Sequence, residues 1–158
     1  MRTPIQEQMP AWYFDRYRRT LVNCDLDQAL CWAERACRQL RRSAEREFEG
    51  RGIEIAFQDL TFGGVRVRAR LNLKAGKVYI DPAAEADLFQ ELDRLGFPLS
   101  PSPKQLILTH ELFHLFCPRC PSALEELAAH LFCASVLELD YFPGLLDLGW
   151  SYPQSAAG

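Results

Sequence analysis

Apolar residues recur at helical spacing through Leu26, Ala29, Ala33, Ala36, Cys37, Leu40, Ala44 and Phe48, which is one face of a 3.6-residue period. Asp25 stands where an N-cap belongs, with Gln28 three residues on as its capping-box partner, and Gly50 and Gly52 stop the pattern. These signals predict one helix from Asp25 to about Gly50. The period then changes to two. IEIAF (53–57) alternates, and VRVRARL (65–71) alternates more cleanly, with Val65, Val67, Ala69 and Leu71 on one face and Arg66, Arg68 and Arg70 on the other. Gly63-Gly64 is the expected turn between them. KVYID (77–81) is a third expected strand after a turn at Lys74-Ala75-Gly76, and a helix over roughly 84–95 should close at Gly96 and Pro98.

Two further helices complete the pattern. Ser102 is placed to cap the first of them and Pro103 suits its first position, with Pro118 ending it after Leu115 or Phe116. The spacing Ser122-x-x-Glu125 reads as a capping box opening the last helix, which is expected to reach about Leu139. Helices, a β-meander, then helices predict an α+β fold, with helices on one face of a three-stranded, mainly antiparallel sheet. The 158 residues suit a single domain, with a helical part over 1–52 and a core over 53–142.

Composition narrows the function classes without choosing one. Hydrophobic residues at 48% and charged residues at 25% are ordinary for a globular protein, and a net charge of −3 gives no general attraction to nucleic acid or anionic membrane. An arginine row on one strand face is expected to be a solvated face, so no nucleic-acid partner is expected. The amino-terminal stretch has no apolar core of a signal peptide, and no apolar run approaches the ~20 residues of a membrane span. A cytoplasmic location follows as the expectation, with the six cysteines as free thiols unless they bind metal. Charge is unevenly placed: ten of the eighteen basic residues, all Arg, precede Ile53, while the region after residue 103 holds all three histidines and six acidic residues. Such a region suits a cation.

The chemistry concentrates in LTHELFHLFCPRC (108–120). His110 and His114 are four apart on a helix, so both imidazoles share a face and can close on one zinc ion. Glu111, beside them, is placed as general base for a zinc-activated water. The flanking Leu106, Ile107, Leu108, Leu112, Phe113, Leu115 and Phe116 mark a largely buried helix, in which unpartnered histidines and a glutamate would be costly. A third ligand is open between Cys120, which with Cys117 has zinc-knuckle spacing, and the glutamates of the next helix. Capping at Ser122 accounts for Glu125, whereas Glu126 shares a face with His130 four residues later. Glu126 is therefore the expected ligand, His130 its hydrogen-bonding support, and Glu125 and Cys120 the alternatives.

HELFHLF followed closely by EELAAHLFCASVL resembles the ImmA/IrrE-like zinc metallopeptidases, small zincins whose pattern is H-E-x-x-H and then roughly E-x-x-A-N-x-F-A-x-x-L. Glu126, Ala129 and Phe132 fall on that pattern; His130 stands in place of its usual Asn and Cys133 in place of its Ala. The resemblance covers about residues 53–142, leaves 1–52 unmatched, and brings no helix-turn-helix with it. It implies a zincin-like domain and an intracellular zinc endopeptidase acting on a protein or peptide, with a transcriptional regulator as one candidate substrate. It also implies that the strand of Val78, Tyr79 and Ile80 lies at the cleft edge, where an extended substrate could add as a further strand. Tyr141, Tyr79 and Arg119 are candidates for the oxyanion donor. Two rival readings remain: a structural-zinc interaction module that uses Cys117 or Cys120, and a zincin-like binder without catalysis.

Overall fold

The computed structural model describes residues 25–141 together with Pro143 and Leu146. The part of the expected helical region 1–52 that precedes Asp25, and the side chain of Asp25 itself, lie outside the described residues. Ten elements follow in order: α1 (Asp25–Gln39), α2 (Ala44–Gly50), β1 (Glu54–Phe57), β2 (Thr61–Phe62), β3 (Val65–Arg66), β4 (Ala69–Asn72), β5 (Lys77–Ile80), α3 (Pro82–Leu95), α4 (Pro103–Phe116) and α5 (Ser122–Val136). The class is α+β, as expected. The described chain forms two compact units, one of residues up to Leu40 with Phe113–Leu145, the other of Arg41–Leu112 with Leu146. This division passes through α4 and does not follow a boundary at residue 52.

The helical unit is built on α1 against α5. Ala29, Ala33 and Ala36 form a buried stripe of small side chains on α1, which lets a neighbouring helix approach closely. Leu124 and the continuous run Leu127–Ala134 are buried on α5, so this helix is apolar nearly all round. Phe113, Phe116 and Phe132 stack edge to face or tilted within the same unit. Gln39 Nε2 donates to the Phe116 carbonyl at 3.1 Å, satisfying one of the orphan carbonyls at the end of α4.

In the other unit the sheet order is β1-β5-β4, with β1 parallel and β4 antiparallel to β5. The sheet is therefore mixed, not mainly antiparallel. Gly63 and Gly64 do form the expected turn, both with positive φ (55° and 81°), the backbone that a two-residue hairpin needs. They join β2 to β3 in a separate two-stranded hairpin, so β1 is free to pair in parallel with β5. The stretch 65–71 is broken in two between Arg66 and Ala69, and Val67 is exposed while Ala69 is buried. Its arginines also diverge: Arg68 donates to the Leu146 carbonyl, and Arg70 lies over the rings of Phe62 and Tyr79.

The expected long helix from Asp25 to Gly50 is interrupted over 40–43. Ser43 caps a new helix by accepting from the Arg46 N–H, a local hydrogen bond that competes with helix continuation. Buried Glu47 is then met by Arg42 at 3.2 Å and Arg51 at 3.7 Å. The helix expected over 84–95 starts two residues earlier, with Asp81 as N-cap, Pro82 in the first turn and Gly96 as left-handed C-cap. Asp81 is buried, and its carboxylate accepts from Ala83 N–H at 2.8 Å and Leu60 N–H at 3.0 Å. One side chain thus starts α3 and holds the loop after β1.

Asp81→Ala should destabilise the chain by about 2–4 kcal/mol, combining a lost cap with a buried N–H left without its acceptor. Urea unfolding followed by circular dichroism measures it, with Asp81→Asn expected to recover about half. A loss under ~1 kcal/mol would mean that Asp81 does not join these segments.

Candidate metal centre

Helix α4 begins as expected. Ser102 Oγ accepts from Gln105 N–H at 3.2 Å while Gln105 Oε1 accepts from Ser102 N–H at 2.8 Å, a reciprocal capping box. Leu106, Ile107, Leu108, Thr109, Leu112, Phe113 and Phe116 are buried, leaving little of the helix surface polar. His110, Glu111 and His114 are half-buried and fall within a sector of about 100° at 3.6 residues per turn. One donor atom from each lies within 4.8 Å of the others. Burial on the rest of the helix and the i, i+4 spacing create this cluster together.

The two nitrogens of His114 separate the two glutamates of α5. Nδ1 lies 2.8 Å from Glu125 Oε1, and Nε2 lies 3.5 Å from Glu126 Oε1. The first contact is close, although its alignment falls short of a hydrogen bond. A carboxylate at Nδ1 orients a metal-binding histidine and leaves Nε2 for the ion. Glu126 stands on the Nε2 side. The separation by capping fails, because Pro121 is the N-cap of α5 and no side chain caps it. Glu125 is occupied by His114, not by Ser122, and sequence spacing alone could not show this contact between helices.

A second group of donors is His110, Glu126 and His130, again within 4.8 Å of one another. His130 is buried and Glu126 exposed. The expected trio of His110, His114 and Glu126 is divided between the two groups, which share His110. His130 therefore offers a donor atom to this second group.

Neither cysteine of the CPRC turn joins a donor group among the described residues. Both are buried; burial pushes the Cys117 thiol up and the Cys120 thiol up to about 11. Of the oxyanion candidates, Arg119 is exposed and Tyr79 lies beneath Arg70. Tyr141 is buried, and burial pushes its hydroxyl up to about 12. Val78, Tyr79 and Ile80 cannot receive a substrate strand as expected, because β5 is the central strand and is hydrogen-bonded by β1 and β4 on its two sides. In this sheet, among the described residues, the edge strands are β1 and β4, and an added strand would pair at such an edge.

No family model matches the chain, and comparisons with curated proteins and with solved structures give no match. Imidazole nitrogens with carboxylate oxygens form a donor set suited to zinc. Donors spread no wider than 4.8 Å can converge at zinc–ligand distances of about 2 Å by side-chain adjustment. No described helix is long and apolar enough to cross a membrane.

The thiol environments give a labelling order. Iodoacetamide at pH 8 should modify exposed Cys31 well before the buried Cys117 and Cys120, as peptide mass mapping would show. The two buried thiols should become reactive as pH rises towards the value of about 11 at Cys120, since the thiolate is the nucleophile. Labelling of Cys120 as fast as Cys31 at pH 8 would contradict the burial.

Proposed function

We propose that the chain is a zinc-dependent peptidase, an endopeptidase by its resemblance to the ImmA/IrrE-like enzymes, acting on a protein or peptide. The observation that carries the reading is the arrangement at His114. A helix with His110, Glu111 and His114 in one sector presents the last of these with Glu125 at Nδ1 and Glu126 at Nε2. His110, His114 and Glu126 would hold the ion. Zinc, when bound, supplies a Lewis acid for the scissile carbonyl and for the attacking water. Glu111 accepts the proton of that water and returns it to the leaving amine. Glu125, close to Nδ1, would orient the ring of His114 from the far side.

One observation favours a second reading. His130 lies with His110 and Glu126, and a fourth protein ligand would close the site, as in structural zinc centres. The chain would then be an interaction module or an inactive zincin-like binder. His130→Asn distinguishes the two: zinc retained with modestly changed activity supports the peptidase, and loss of the metal supports the closed site.

Zinc content, measured by elemental analysis, should be about one per chain, as expected of a single four-coordinate site. Glu126→Ala should lose most of it, while Glu125→Gln should weaken binding by about 10–100-fold, the usual cost of removing a partner of a ligating histidine. Equal retention by both would remove Glu126 from the ligand set. Glu111→Gln should keep zinc and fold yet lower cleavage of a peptide library by about 10²–10⁴-fold, towards the upper end because the same group serves both proton transfers. Equal cleavage by wild type and Glu111→Gln would end the proposed mechanism, and a zinc-loaded wild type that cleaves nothing would favour the binder.

A further inference from the structure

The CPRC turn is left unused by the metal centre. Cys117 follows the last residue of α4 and Cys120 precedes α5 by two residues. Cys120 N–H donates to the Cys117 carbonyl at 3.2 Å, closing a β-turn with Pro118 at its second position, which pre-sets the backbone for that turn. A β-turn keeps its first and fourth Cα atoms within about 7 Å, overlapping the about 4.4–6.8 Å that a disulfide spans. Both thiols are turned inward: 4% and 8% of these residues is exposed, while Pro118 and Arg119 between them face solvent. Burial, and after it the charge of Cys117, push the Cys120 thiol up.

We propose that Cys117 and Cys120 form a dithiol–disulfide couple within this turn, oxidised by a small-molecule disulfide such as oxidised glutathione. One thiolate attacks the glutathione disulfide, giving a mixed disulfide and one glutathione thiolate. The second thiolate then attacks the protein sulfur and releases the second glutathione. Two protein S–H bonds and one S–S bond are exchanged for one protein S–S bond and two glutathione thiols, the two protons and two electrons passing to glutathione. The turn is already closed in the dithiol form, which keeps the two Cα atoms near the span of a disulfide. Burial acts on rate and equilibrium in opposite directions. It makes thiolate scarce and exchange slow, and it withholds the thiolate stabilisation that makes other C-x-x-C pairs strong oxidants. Oxidation should therefore be slow, and the disulfide persistent once formed. The inference does not depend on zinc.

The test equilibrates the full chain with mixtures of reduced and oxidised glutathione, both folded and in concentrated urea. Each sample is quenched with acid, alkylated and mapped by mass spectrometry. A loss of two hydrogens in the peptide carrying Cys117 and Cys120 is expected, absent in Cys117→Ser and in Cys120→Ser. If the native turn favours the bond, its equilibrium constant in the folded chain exceeds that in urea by about threefold or more, and the oxidised chain has the higher urea midpoint by linkage. An equal or smaller constant in the folded chain would overturn the proposal, as would bonding of either cysteine to Cys37 instead. Added zinc should not protect the pair. Protection would show that the thiols are metal ligands and would overturn it equally.

Discussion

Two imidazoles and a carboxylate are partly withdrawn from water together on α4, and the surroundings of this helix must answer that cost. Most of its surface is covered by Leu, Ile and Phe side chains, so the polar groups cannot rotate away to full hydration. Burying such groups without partners costs several kcal/mol in total at roughly 1–3 kcal/mol each. The answer comes partly from α5, whose Glu125 and Glu126 meet opposite nitrogens of His114. Under the function proposed above a cation would be a further answer, because one ion satisfies several nitrogen and carboxylate donors at once.

Placement of α5 therefore sets where these two carboxylates stand relative to His114. Its apolar circumference packs on the alanine stripe of α1, which lets the backbones come close without large side chains intervening. A short turn bounded by prolines connects α4 to α5, and its two cysteines point inward. Shortness matters here, since a long flexible connection would leave the carboxylates of α5 free to sample many positions relative to His114.

In the sheet-bearing unit, buried acids hold segments that the hydrophobic pattern alone would leave loose. Asp81 joins the start of α3 to Leu60, and Glu47 is held between Arg42 and Arg51. Each carboxylate meets N–H groups or guanidinium within its own unit, which is the usual condition for burying an acid.

What the sequence by itself determined was local. The i, i+4 spacing of His110 and His114, the Ser102–Gln105 capping box, the Gly63-Gly64 turn and the Gly96 stop are all written within a few residues, where backbone geometry and side-chain reach decide the outcome. Local signals also misled. Ser122 and Glu125 match a capping box, but the chain starts α5 from Pro121 and sends Glu125 to a histidine eleven residues away in sequence. Continuous helical periodicity from Leu26 to Phe48 concealed the break that Ser43 caps. Tertiary structure decided whatever depends on partners distant along the chain: that β5 is central and closed to a substrate strand, that β1 runs parallel to it, and that Glu125 and Glu126 take different nitrogens of His114. Periodicity shows which face of an element is apolar, but not which element covers it, because strand order and cross-helix contacts are set by competition among all the apolar faces at once.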